Sequence, residues 1–359
     1  MRYLDLGTVD AQSSQAVYHA LAELWHPDDE TTLVTVRPDR PYVCVGYHQI
    51  ASREIDRQYC ADRHIPVGRR MIGGGAVWLD QDQVFWHLVM PHQQISIDTL
   101  YRRYLAAPVN AYRQMGIFAE HRPVNDIVVG ARKIGGTGAS TIGDADVLVG
   151  SLMMDFDPQA MVRALNVPSE KFRDKVISSL SDYITTVKRE LGKNAPSAAA
   201  ATRILVEAFA AVLQEEVRPD GLTDQEHERI QWYADRLFDP LFVYRDEGYL
   251  VPGLKIREGV RVLEGLYKAA GGLIRIVWRD VNGIIEDVTV GGDFFIAPPD
   301  GLERLQAALI GLRVGSDQCE EVVRKVWQTV EAPGVTAGDI IAALAKGEAL
   351  NSDGGVQKS

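Results

Sequence analysis

The sequence predicts an α+β protein with a large N-terminal domain followed by a smaller α/β domain. Three observations lead there. Strand-like runs come in clusters and do not alternate one-for-one with helices, which argues against a regular βαβ repeat. The pattern turns helical from about residue 157 to 240, with an alanine-rich stretch near 197–213. Beyond that it returns to strand alternation, with turn pairs at Gly271-Gly272 and Asn282-Gly283, and Asn-Gly between apolar runs is a strong hairpin signal. At 359 residues the chain exceeds one typical domain and suits a large one plus a small one. The expected divisions are 1–245, 246–346 and a polar, glycine-containing flexible tail at 347–359.

Each element follows from local pattern. Residues 12–25 place Ala16, Val17, Ala20, Leu21 and Leu24 at helical spacing, hence an amphipathic helix. TTLVTVRP and PYVCVGYH are β-branched runs parted by Pro and Asp, hence strands. Residues 51–64 read as helix and IPVGRRM as strand. AVWLD and QVFWHLVMP flank Gln81-Asp82, which predicts a hairpin just after a run of glycines. A helix is expected over 99–115, then a second glycine-punctuated strand group in NDIVVGARKIGGTGAS and DVLVGSLMMDF. KVISSL reads as a short strand or a helix start. The C-terminal part offers three strands, then helices near 300–312, 317–330 and 337–346.

Bulk chemistry narrows the partners. Lys plus Arg number 38 against 49 Asp plus Glu, a net charge of −11. Such a surface repels phosphate backbones, so nucleic acid is not an expected main partner. Cys44, Cys60 and Cys319 are odd in number and widely spaced, which gives neither a disulfide framework nor a zinc pattern and fits a reducing compartment. The N-terminal sequence lacks the basic end and apolar run of a signal peptide, and no run of 18 apolar residues suggests a span. A cytoplasmic protein with no membrane partner, monomeric by default, is the expectation.

Three stretches could carry chemistry. In RRMIGGGAVWLD, three successive glycines remove every Cβ from one turn, so that backbone N–H groups can approach an anion. Arg69 and Arg70 just upstream offer charge for a phosphate or carboxylate. Taken alone, the triplet is equally compatible with a flexible turn beside surface arginines. It is neither a Walker loop nor a GxGxxG fingerprint. In NDIVVGARKIGGTGAS, Lys133 sits at a strand end beside open backbone, where an ammonium can stabilise developing charge; alone it also reads as an exposed turn lysine. Asp126 could hold Mg²⁺ or orient a base, or simply shape a turn. The histidines show no HxH or HExxH spacing, His87 alternates within a strand, and no GxSxG elbow occurs.

Together and in this order, these stretches resemble the lipoate–protein ligase A family, within the biotin/lipoate protein ligase superfamily, from about residue 30 to 190. The family's first signature is an Arg-Arg pair, a small residue, GGGAV, an aromatic and His-Asp; here it is RRMIGGGAVWLD. The second is Asn-Asp, a short strand and Lys-[Ile/Val]-Ser-Gly-Ser-Ala; here it is NDIVVGARKIGGTGAS. KVISSL is similar to a Lys-Gly-Ile-Thr-Ser-Val stretch, with Ile184-Thr185 echoing the Val-Thr that follows. Gly150-Ser151-Leu152 matches a Gly-Thr-Leu segment. The region after 245, with GGDFF, resembles the family's fused accessory domain.

The resemblance implies a large mixed-sheet catalytic domain of biotin/lipoate ligase type. It also implies a two-step activity, in which lipoate and MgATP give lipoyl-AMP and the acyl group then passes to a lysine of an apo lipoyl domain. Carried over by position, Arg70, Gly73, Gly74, Gly75, Ala76, Val77, Trp78 and Lys133 would bind ATP and the adenylate, with Lys133 catalytic. Val77, Phe85, His87 and Gly136 would line the acyl slot. Departures from the family pattern are Ile72 for a serine, Leu79 for a histidine, Gln83 for an asparagine, and Gly135-Gly136-Thr137 for Ser-Gly-Ser. An octanoyl or lipoyl transferase on the same fold would need an acyl-accepting cysteine, and none lies between Cys60 and Cys319. A non-catalytic protein that binds lipoyl domains is the remaining alternative. The GRGRxG-type loop of biotin ligases is absent.

Overall fold

The structure, a computed structural model, describes residues 1–166, 170–245 and 260–349. The expected boundary at 246 and residues 350–359 of the expected tail lie outside the described residues. The chain divides into two compact units. The first comprises Met1–Val45, Ile55–Ile72 and Val77–Val243; the second comprises Gly46–Glu54, Gly73–Ala76 and the chain from Tyr244 onward.

In chain order the elements up to Val243 are β1 (Arg2–Val9), α1 (Ala11–Glu23), β2 (Thr32–Pro38), β3 (Tyr42–Val45), α2 (Ala51–Glu54), α3 (Arg57–Asp62), β4 (Val67–Arg69), β5 (Val77–Leu79) and β6 (Gln83–Pro91). Next come α4 (Ile97–Tyr104), α5 (Ala106–Gln114), β7 (Glu120–Arg122), β8 (Asp126–Val129), β9 (Arg132–Ile142) and β10 (Ala145–Met153). The helical stretch holds α6 (Pro158–Ala164), α7 (Glu170–Tyr183), α8 (Val187–Leu191), α9 (Ala198–Leu213), the short strand β11 (Arg218–Pro219), α10 (Asp224–Phe238) and α11 (Pro240–Val243).

The first unit is built on a mixed sheet in the order β11-β1-β2-β6-β10-β9-β8-β7, accompanied by a small sheet β4-β3-β5. Strand alternation sorts β6 into two faces. Val84, Trp86 and Leu88 join Leu148, Leu152, Tyr112, Leu205 and Phe209 in the main core, where α5 and α9 cover the sheet. Phe85 and His87 take the opposite face, where Tyr18 of α1 meets His87 edge-on at 4.9 Å. Asp10 starts α1 by accepting the Ser13 N–H at 2.8 Å, which satisfies one of the helix's free donors.

Two local expectations change. The hairpin across Gln81-Asp82 does not form: β5 pairs with β3 in the small sheet, whereas β6 pairs with β2 and β10. The turn is closed by one backbone bond, from the Gln83 N–H to the Asp80 carbonyl at 3.2 Å, and by side chains. The Asp80 carboxylate accepts Trp78 Nε1 at 2.8 Å and the Asp82 N–H at 3.1 Å, and Gln83 Nε2 donates to the Trp78 carbonyl at 3.1 Å. These bonds redirect the chain from one sheet to the other. KVISSL falls inside α7 and is neither a strand nor a helix start. The helix expected over 99–115 is two helices that meet at Leu105, with Pro108 in the first turn of α5, where a missing N–H costs little.

The second unit carries β12 (Val260–Ala269), β13 (Gly272–Val281), β14 (Ile284–Gly292), α12 (Gly301–Leu309), α13 (Asp317–Trp327), α14 (Ala337–Ala345) and β15 (Glu348–Ala349), in sheet order β14-β13-β12-β15. The β13–β14 turn has positive φ at both Asn282 (55°) and Gly283 (84°), the conformation that Asn-Gly favours. Ile276, Trp278 and Phe294 pack against Leu305, Val323 and Ile340. Among the described residues, no single helix is long and apolar enough to cross a membrane.

Phe209 is fully buried beside Trp86, ring centroids 5.2 Å apart. Phe209→Ala is expected to cost about 3–5 kcal/mol in guanidinium unfolding of the full chain. A midpoint equal to that of the wild type would show that this face is not the core.

Candidate functional site

The first unit presents Lys133 by a defect in its sheet. β8 and β9 pair as Asp126 with Gly136 and Ile127 with Gly135, then shift so that Val128 faces Lys133. Ile134 is the extra residue of a β-bulge, a feature that bends a strand and re-aims side chains. Its carbonyl, released from the ladder, accepts the Tyr112 hydroxyl at 2.7 Å, and that oxygen in turn accepts the Met153 N–H at 3.1 Å. The Lys133 carbonyl accepts the Thr185 N–H at 2.8 Å, so Ile184-Thr185 buttresses the bulge from outside the sheet. Asn125 and Thr137 close the next turn of the ladder: Thr137 Oγ1 donates to the Asn125 carbonyl at 2.6 Å, and Asn125 Nδ2 donates to the Thr137 carbonyl.

Lys133 Nζ lies 2.6 Å from Asp126 Oδ1, with the two side chains 29% and 19% exposed. Asp126 Oδ2 accepts Arg122 Nη2 at 2.8 Å and the Tyr183 hydroxyl at 3.2 Å. Burial raises the Asp126 carboxyl, but Lys133 and Arg122 outweigh it and hold the acid below the usual carboxylate range. Asp126 therefore stays ionised and parks Lys133 as an ammonium. Gly136 gives that ammonium room: a Cβ there would lie 3.3 Å from Lys133 Cε and 3.4 Å from Nζ.

Both Asp126 oxygens face cations in this structure, Lys133 at Oδ1 and Arg122 at Oδ2, and no group of three or more His, Cys, Asp or Glu side chains stands together among the described residues.

The two arginines before the glycines divide their labour. Arg69 is fully buried, with Nε and Nη2 donating to the Val243 carbonyl at 3.1 and 2.6 Å. It ties the end of β4 to the end of α11. Arg70 is half-buried, its N–H bonded to the Val45 carbonyl and its Nη1 to the Cys44 carbonyl, both at 3.1 Å; burial pushes the nearby Tyr18 hydroxyl well up, and Arg70 offsets only part of that shift. The segment is anchored by a residue that the sequence did not single out. His19 Nδ1 faces the Gln15 carbonyl at 3.0 Å, so Nδ1 carries the proton and Nε2 accepts the Met71 N–H at 3.1 Å. In sequence His19 is only a polar residue in a helix, and nothing marks its distant partner.

Val77 is half-buried on β5. Trp78 is 7% exposed and its indole N–H is committed to Asp80. Phe85 and His87 share one face of β6, each 4% exposed. Gly73, Gly74, Gly75 and Ala76 group with the second unit. There the Gly74 N–H donates to the Phe294 carbonyl at 3.3 Å with φ at 95°, and a Cβ on Gly73 would lie 2.7 Å from the same oxygen. The structure thus gathers Lys133, Asp126 and Gly136, and sets Phe85 and His87 on one sheet face.

Burial drives both His19 and His87 down to about 3 from an ordinary 6.5. The unfolded chain takes up these protons near pH 6.5 and the folded chain refuses them until about pH 3, so stability is full above that window and falls as pH drops through it. Urea unfolding between pH 7.5 and 4.5 is expected to show this loss, and His19→Gln to make it shallower. An unchanged slope in the variant would mean that His19 is not held neutral.

A family profile described as "Lipoyl protein ligase A/B catalytic domain" matches residues 10–210. A curated relative, the lipoate-protein ligase A subunit 1 of Thermoplasma acidophilum, is 28% identical over 240 residues, covering 64% of this chain and 88% of that protein. The octanoyltransferase LipM of Kyrpidia tusciae is 26% identical over 215 residues, covering 53% and 78%. A solved structure of a bi-partite lipoate protein ligase from Thermoplasma acidophilum, studied with its lipoyl domain, superimposes with a TM-score of 0.61 at 27% identity, covering 66% of this chain and 92% of that one.

Proposed function

Because this chain belongs to the lipoyl protein ligase A/B catalytic-domain family, whose members include ligases and octanoyltransferases, we propose that it is an ATP-dependent lipoate–protein ligase. The observation that carries the choice is the state of its thiols. A transferase of this fold needs a cysteine to accept the acyl group. Cys44, Cys60 and Cys319 are 0%, 2% and 2% exposed. Burial pushes the Cys44 thiol up in spite of Arg70, and Cys60 to about 11. A buried, protonated thiol is a poor nucleophile. A charged lysine beside a glycine-lined sheet face suits adenylate chemistry, which needs no nucleophile from the protein.

In the first step a carboxylate oxygen of lipoate attacks the α-phosphorus of ATP; a C–O–P linkage forms and pyrophosphate leaves. In the second, the amine of an acceptor lysine attacks the activated carbonyl, loses a proton and expels AMP. Lys133 leaves Asp126 to neutralise the carboxylate and the α-phosphate, and its charge is worth more in the partly buried site than in water. Arg70, Val77, the backbone of Trp78 and the glycines Gly73, Gly74 and Gly75 with Ala76 hold the nucleotide. Phe85, His87 and Gly136 line the acyl slot. Mg²⁺ arrives with the ATP phosphates, as part of the substrate. The ligase in the solved structure above was studied with its lipoyl domain, and an apo lipoyl domain is the acceptor proposed here. A cytoplasmic monomer completes the reading.

The test is to incubate the full chain with lipoate, MgATP and an apo lipoyl domain and to weigh the acceptor. A lipoyl mass gain that requires ATP is expected, with Lys133→Ala slowing it by about 10²–10³-fold. Acyl transfer from an acyl carrier protein without ATP would overturn the ligase reading in favour of the transferase.

A further inference from the structure

His87 is a buried residue with one ring nitrogen that nothing in the protein satisfies. It sits mid-strand in β6 at 4% exposure, and its Nδ1 is sealed from solvent without a hydrogen-bond partner. Its cross-strand neighbours are Val34 on β2 and Val149 on β10, and neither side chain offers a polar atom. The Tyr18 ring meets it edge-on. Burial keeps the imidazole neutral, with one N–H donor and one acceptor nitrogen. An unpaired buried nitrogen is destabilising, and a leucine would fill the position without that cost.

The surroundings indicate what could pair with it. Val149, opposite His87, also faces Gly138 of β9. One pleat along the same face come Phe85, Ser151 and Gly136, since Ser151 pairs with Phe85 and Thr137 with Gly150. Gly136 and Gly138 leave the β9 part of this face without side chains, and Lys133 Nζ stands beside Gly136. Gly136 and His87 are two strands and one pleat apart, about 12 Å by ordinary sheet spacings. A carboxylate held by Lys133, with its chain laid along the glycine side, brings the far end of a medium-length acyl chain to the imidazole.

We propose, building on the ligase reading, that His87 sets acyl specificity by hydrogen-bonding a ring sulfur of a dithiolane, so that lipoate is preferred to octanoate. Octanoate places only methylene and methyl groups there and leaves the imidazole unpaired. A site that must leave a buried polar group unpaired discriminates against the analogue responsible. Sulfur is a weak acceptor, so the preference is about tenfold, far less than a hydroxyl partner would give.

Calorimetry of free lipoate and octanoate on the full chain, without ATP or acceptor, tests this directly. The wild type is expected to bind lipoate about tenfold more tightly. His87→Leu removes the preference, chiefly by losing affinity for lipoate, whereas His87→Asn, which keeps an amide near the Nδ1 position, retains it. In ligation assays the effect falls on the ratio of KM values more than on kcat. Circular dichroism checks folding, and His87→Met supplies the same apolar test if the leucine variant does not fold. A leucine or methionine variant with the wild-type lipoate-to-octanoate ratio overturns the proposal, as does a wild type with no preference. Intact binding preference without ATP-dependent ligation would sink the ligase reading and leave the role of His87 standing.

Discussion

The bulge at Ile134 is the constraint on which the rest of the first unit's site depends. A regular ladder through β8 and β9 would keep strict alternation from Arg132 to Ile142. One extra residue breaks that alternation, frees the Ile134 carbonyl and sets Lys133 opposite Val128. The freed carbonyl is not left to water: Tyr112 reaches it from α5 and is itself bonded by the Met153 N–H. One phenol hydroxyl thus ties the helix layer, the bulge and the neighbouring strand together. The site lysine is held by its backbone, and its tip rests between Asp126 and Gly136.

The charged and titratable groups at and around the site fall into three electrostatic kinds. Asp126, Lys133, Arg122 and Arg70 are charged and partly exposed, and they can exchange one partner for another at modest cost. His19 and His87 are buried and neutral, and they act through hydrogen-bond geometry alone. Arg69 is a third kind, a buried cation whose guanidinium is spent on the Val243 carbonyl. Arg69, the last residue of β4, points inward, whereas Arg70, just past the strand end, bonds the Cys44 carbonyl and stays partly exposed.

Much of this was legible in the residues, and the failures have physical causes. The Asn282-Gly283 hairpin was read correctly because only a few residue pairs tolerate positive φ twice in succession. The three C-terminal helices followed from clean periodicity. Lys133 stood out through its place before two glycines, and Gly136 is where those glycines matter. The Gln81-Asp82 hairpin failed because sequence pattern reports turns and not pairing partners; the Asp80 side chain, which closes the turn without a ladder, has no periodic signature. His19 was missed because its partner, the Met71 N–H, is 52 residues away. KVISSL is ambiguous because six residues with three apolar positions are too short to separate strand from helix periodicity.

The buried thiols have a bearing beyond the choice between ligase and transferase. The dithiolane ring of lipoate, the substrate proposed above, is itself a strained disulfide, and any accessible thiolate would open it by exchange and trap it as a mixed disulfide. Cys44, Cys60 and Cys319 are free, buried and shifted toward the protonated form. A protein with that arrangement can hold a redox-active cargo without entering its redox chemistry, and the ring can leave in the oxidation state in which it arrived.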